Sequence, residues 1–134
     1  MITRPVPVLA AAIAAATGLA GAAAADGIGK AEYMNSCAGC HGETAAGDGP
    51  LAALMTVEVP PLTGLAADNG GAFPMRMVIR TIDGRHRPAS HGFPMPVWGA
   101  RLREAAEADG PVMPELVARG RILSLAYYLE SIQE

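Results

Sequence analysis

Cys37-Ala38-Gly39-Cys40-His41 constrains this chain more than any other stretch. Two thiols and an imidazole within five residues form the C-x-x-C-H pattern, in which each sulfur can add across a vinyl group of a porphyrin and the next histidine can bind its iron. Paired thiols have other uses: a redox dithiol, half of a zinc site, or a small structural disulfide. Zinc asks for four ligands, and after the motif the chain offers only His86 and His91, with no second cysteine pair and no H-x-x-x-H spacing. A thioredoxin-like pair follows a β-strand, whereas residues 29–36 are poor in β-branched types and read as one or two helical turns. Covalent haem attachment is the reading that uses all three residues.

What precedes the motif bears on where such a protein would work. Residues 1–25 carry one base, Arg4, and no acid, then an alanine-dominated apolar run, then Ala23-Ala24-Ala25 as the small residues of a cleavage site. They read as a cleavable secretory signal peptide, with a retained membrane anchor as the alternative, since about 20 apolar residues can span a bilayer. Export implies the periplasm and an oxidising compartment, where two cysteines three residues apart are accounted for by one covalent haem. Residues 26–134 then form a single domain. Nine basic and thirteen acidic residues remain after cleavage, a formal charge of −4. No basic run of the kind that binds nucleic acid or an anionic membrane is present.

Along the mature chain, residues 26–36 read as a short helix capped by Asp26, with Tyr33 one turn ahead of Cys37. Residues 42–71 are rich in Gly, Pro, Ala and Thr and read as turns, with one helical turn at Leu51–Met55. A long irregular loop in a small domain needs something to pack on, and a haem edge would supply it. Pro74 to Ile82 reads as a helix ended by Gly84, with Met75, Val78, Ile79 and Ile82 on its apolar face. Arg85 is either a haem-propionate partner, since a guanidinium fork suits carboxylates, or a solvated loop arginine. Pro94 and Pro96 hold Met95 in extended backbone, which suits a thioether reaching inward to a metal. Arg101 to Ala108 reads as a short polar helix. Pro114 to Ser131 is the strongest helix, with Ala118, Ile122, Leu125, Leu129 and Ile132 in one register.

Gly29, Tyr33, Cys37, Cys40 and His41 lie at the spacing of class I cytochromes c, and the chain resembles that family over nearly all of residues 26–134. The resemblance implies an all-α class I cytochrome c fold, three to five helices around one covalently attached haem c, with long Pro/Gly loops. It implies thioether links at Cys37 and Cys40 and His41 as proximal iron ligand. A loop proline of the family accepts the histidine's Nδ1 hydrogen bond, a position that Pro60 matches and for which Pro50 is the rival. Met95-Pro96-Val97-Trp98-Gly99 resembles the family's distal segment, which makes Met95 the sixth ligand and gives Trp98 a propionate hydrogen bond. Met113, also before a proline, competes with Met95, while Met75 and Met77 read as core, and His91 would give bis-histidine ligation.

The function implied is a periplasmic single-electron carrier, not an enzyme, meeting its redox protein partners transiently. Two other readings stay open. The chain could be the haem subunit of a periplasmic dehydrogenase or oxidase complex, or a ligand-binding or catalytic haem domain with an open sixth site. A cytochrome c′ arrangement fits poorly, because there the motif belongs to the last helix of a bundle.

Overall fold

The computed structural model describes residues 27–85, 95–110 and 112–134. The expected leader, residues 1–25, and the loop histidines His86 and His91 lie outside them. Helix α1 covers residues 27–36, and the Cys37 amide donates to the Tyr33 carbonyl at 2.8 Å, so its ladder runs on into α2, Ala38–His41. After a loop containing a 3-10 turn, Ala52–Leu54, come α3, Leu65–Asp68, and α4, Met75–Asp83. The chain closes with α5, Trp98–Asp109, and α6, Pro114–Ser131. No strand occurs among the described residues, and the fold is all-α. Two of these six helices, α2 and α3, are single turns of four residues, which explains the excess over the three to five expected.

Helix α6 organises the rest. Pro114 stands at its first position, where the missing amide hydrogen costs nothing, and Glu115 in the first turn complements the positive end of the helix dipole. Ala118, Ile122, Leu125, Ala126 and Leu129 are buried along it, and both α4 and α5 pack on it. On another side α1 crosses α6 at close range. A Cβ on Gly29 would collide with the Ser124 carbonyl oxygen and lie 2.8 Å from Tyr128 Cβ, so only glycine admits this approach. Tyr33 is fully buried at the crossing, its ring 5.3 Å from that of Tyr128 and tilted by 49°.

Three elements depart from the sequence expectation. Helix α5 starts at Trp98 rather than Arg101 and ends one residue later. Gly99, read as part of a loop, lies in its first turn, where the lack of a Cβ leaves room for the Asp83 side chain and backbone. The second is α3, a turn of helix inside a stretch read as irregular. Helix α4 is displaced by one residue, with Pro74 as its N-cap and Gly84 ending it in the left-handed conformation at φ +87°.

Candidate haem-binding site

The motif becomes a site because it is helical. With the His41 amide donating to the Cys37 carbonyl at 2.9 Å, residues 37, 40 and 41 stand at i, i+3 and i+4 and present their side chains on one side of a single turn. All three line one apolar pocket. Its other walls come from the loop through Val57, Val59, Pro60 and Leu62, from α4 through Val78 and Ile82, and from α6 through Leu125 and Leu129. Met95, Pro96 and Trp98 line it too. Among the described residues, the buried polar side chain is His41.

His41 Nδ1 lies 3.0 Å from the Pro60 carbonyl oxygen. A carbonyl can only accept, so Nδ1 carries the proton and donates, which puts the ring's lone pair on Nε2, the nitrogen that can bind iron. Pro60 rather than Pro50 meets the imidazole, and Pro50 is exposed. The turn after His41 is tied back to the crossing: the Tyr33 hydroxyl donates to the Gly42 carbonyl at 2.6 Å.

The thiols do not suit the other uses of a C-x-x-C pair. Cys37 and Cys40 are free of a disulfide. Burial, reinforced by Glu32 and Cys40, pushes the Cys37 thiol up to about 12. A reactive redox dithiol needs the opposite shift. Among the described residues no cluster of three or more His, Cys, Asp or Glu could hold a metal ion. The set that remains, two thiols suited to the vinyl groups of a porphyrin and an Nδ1-protonated imidazole and a thioether suited to its iron, fits a haem in an apolar wall.

Other sequence readings fare differently. Arg85 is exposed and ion-paired with Asp83, and it does not line the pocket. Met113 is 62% exposed and away from the pocket. Met77, read as core, is exposed and lines the pocket, as do Met55 and Glu58, to which sequence reasoning gave no place there. Met77 could have been found from spacing, since it stands one turn before Thr81, another wall residue. Arg101 was missed as well; its guanidinium lies 5.4 Å from the Trp98 ring centroid, three residues away on α5.

The cytochrome c family model matches residues 28–109, more than half of the chain. The chain belongs to the cytochrome c family. No curated protein and no solved structure matches it. A cytochrome c binds covalently attached haem c with its iron and works in haem-based electron transfer. The matched span takes in α1, the C-x-x-C-H turn, the Pro60 loop, α4 and α5, and stops before α6. No helix among the described residues of this cytochrome is long and apolar enough to cross a membrane.

Proposed function

We propose that the protein is a periplasmic single-electron carrier, exported through residues 1–25, with His41 and Met95 as the two axial iron ligands and thioether links at Cys37 and Cys40. The observation that carries this reading is the meeting of His41, both cysteines and Met95 in the walls of one apolar pocket, with the imidazole already held by Pro60. Bound there, the haem supplies an iron that changes oxidation state by one electron. The chain's part is to keep that change cheap. Pro60 fixes the His41 ring and raises its basicity, a thioether ligand favours the reduced state, and the apolar wall keeps water out. Trp98, in the pocket wall, would donate its indole N–H to a propionate. With His41 and Met95 both bound to the iron, the chain would leave it no open site for catalysis. Its redox partners dock briefly over a small interface.

The test is the visible spectrum of the reduced protein before and after carbon monoxide. A low-spin c-type spectrum unchanged by CO is expected, and Met95→Ala should convert it to a CO-binding form. CO binding by the unaltered protein would reject Met95 as a firm sixth ligand.

A second reading, the haem subunit of a larger redox complex, is favoured by one feature. Leu116, Leu123 and Tyr127 follow one another along α6 and are each more than 40% exposed. Apolar residues on the outer side of a helix whose inner side is already buried often mark an interface. Sedimentation of the purified protein as a lone monomer, with no co-purifying chain, would remove that reading.

A further inference from the structure

The carbonyl that holds His41 is itself held from far along the chain. Pro60 is followed by Pro61, so with φ of Pro61 fixed its ψ is the one soft torsion between the Pro60 carbonyl and the Leu62 amide. Leu62 is gripped on both sides. Its amide donates to the Ala45 carbonyl at 2.8 Å, and its carbonyl accepts from Gln133 Nε2 at 2.8 Å. The same Nε2 donates to the Leu129 carbonyl at 2.7 Å, which anchors the amide group to the end of α6. Gln133 Oε1 accepts from the Ala66 amide at 2.9 Å. That amide lies in the first turn of α3, where Gly64 at the N-cap has no side chain to satisfy it. The Glu134 amide adds a bond to the Thr63 carbonyl at 3.0 Å.

We propose that Gln133 is a positioning residue for the proximal histidine: by clamping Leu62–Ala66 onto α6 it keeps the Pro60 carbonyl against His41 Nδ1 and so helps to set the reduction potential. The inference rests on the reading of His41 as an iron ligand. The opposite side of the loop leaves the clamp something to push against. Gly47, at φ +83°, has no room for a Cβ because the Val59 carbonyl and the Pro60–Pro61 linkage lie there, and buried Ala45 holds a left-handed φ of +63°. With that wall fixed, releasing the Gln133 side frees the Pro60 carbonyl to move away from the imidazole.

The sign of the effect separates positioning from simple loosening. A weaker Nδ1 hydrogen bond makes His41 a poorer donor, destabilises the oxidised iron and raises the potential. A pocket that merely loosens admits water, which stabilises the more charged oxidised state and lowers it.

The experiment uses the full chain with its haem, comparing Gln133→Met, which keeps the side chain's length, with Gln133→Ala and with the unaltered protein. Arg121→Gln serves as a control, since it breaks an ion pair to Glu32 on α1. Expected are a retained low-spin spectrum, a potential raised in both Gln133 variants, and exchange of the His41 Nδ1 proton at least tenfold faster by NMR. The control should lower the melting temperature and leave the potential and the proton unmoved. If one Gln133 variant fails to fold, the other carries the measurement. A potential unchanged or lowered in the folded variant overturns the proposal while the ligand reading stands. Unaltered protein without a histidine-ligated haem spectrum overturns both.

Discussion

At the crossing of α1 and α6 the atoms in contact are backbone and rings, whereas the pocket wall between Val57 and Leu65 is loop, held by a few directed hydrogen bonds. Gly29 against Ser124, and Tyr33 against Tyr128, leave no slack, and Tyr33 is fully buried. In the loop wall, Leu62 and Leu65 are only partly buried and pack against the core from outside. The crossing depends on volume, so it responds to added atoms. The wall depends on the direction of single polar bonds, so it responds to their removal. A cytochrome needs both: the first fixes the C-x-x-C-H turn as a rigid body, and the second adjusts the ligand that the turn presents.

The largest expected effect comes from overfilling the crossing. Gly29→Ala places a Cβ against the Ser124 carbonyl, which belongs to helix backbone and cannot swing aside. Overpacking of this kind costs about 3 kcal/mol. Denaturant unfolding of the haem-loaded protein should show that loss, with the potential unaltered. A shift in potential as large as that in the Gln133 variants would mean that the two regions are not independent.

Tyr33 joins the two regions, because its ring belongs to the crossing and its hydroxyl to the turn after His41. Tyr33→Phe leaves the buried Gly42 carbonyl without its donor and should cost about 1–3 kcal/mol at neutral pH. The pH dependence is more diagnostic. Burial first, then nearby Cys37, Tyr128 and Asp48, raises the phenol well above its ordinary value. In the unfolded chain the phenol ionises near about 10, while in the folded chain it stays protonated. The folded state therefore holds more protons above that pH, and stability present below it is lost as pH rises. Melting curves between neutral pH and pH 11 should fall more steeply for the unaltered protein than for Tyr33→Phe. Parallel slopes would show that another group governs the alkaline limb.

The two regions also differ in how far the sequence reveals them. Helix α6 is legible from end to end, since Pro114 marks its start and Ala118, Ile122, Leu125 and Leu129 repeat at helical spacing. Gly29 and Tyr33 are legible only through the resemblance to class I cytochromes c, whose spacing from Cys37 they share, since a crossing with a helix far along the chain leaves no local pattern. The wall is not legible in the same way. Helix α3 depends on a cap supplied by Gln133, 67 residues after Ala66, and no local pattern announces it. The first turn of α5 depends on Asp83 fitting over Gly99, so a Pro-rich stretch that reads as loop gives way to helix at Trp98. Arg85 lies outside the pocket's lining. Its ion pair with Asp83, two residues away, is a local contact that the charge alone did not announce.

The smallest expected effect compares two ion pairs of α6. Arg121 meets Glu32 of α1 at 2.6 Å, with side chains 30% and 12% exposed, while Arg119 meets Glu115 of its own helix at 2.8 Å with both side chains more than half exposed. Solvent screens the second pair, and an i,i+4 pair of this kind contributes about 0.3–0.5 kcal/mol. The first pair is largely withdrawn from water, and Arg121→Gln leaves the Glu32 carboxylate there without its partner, a loss of about 1–2 kcal/mol once remaining exposure is allowed for. Unfolding in low and high salt distinguishes the two. The Arg119→Ala difference should vanish at high salt, and the Arg121→Gln difference should persist. Equal losses for both, erased together by salt, would mean that Glu32 reaches water freely and that the crossing is held by its backbone contact and rings alone.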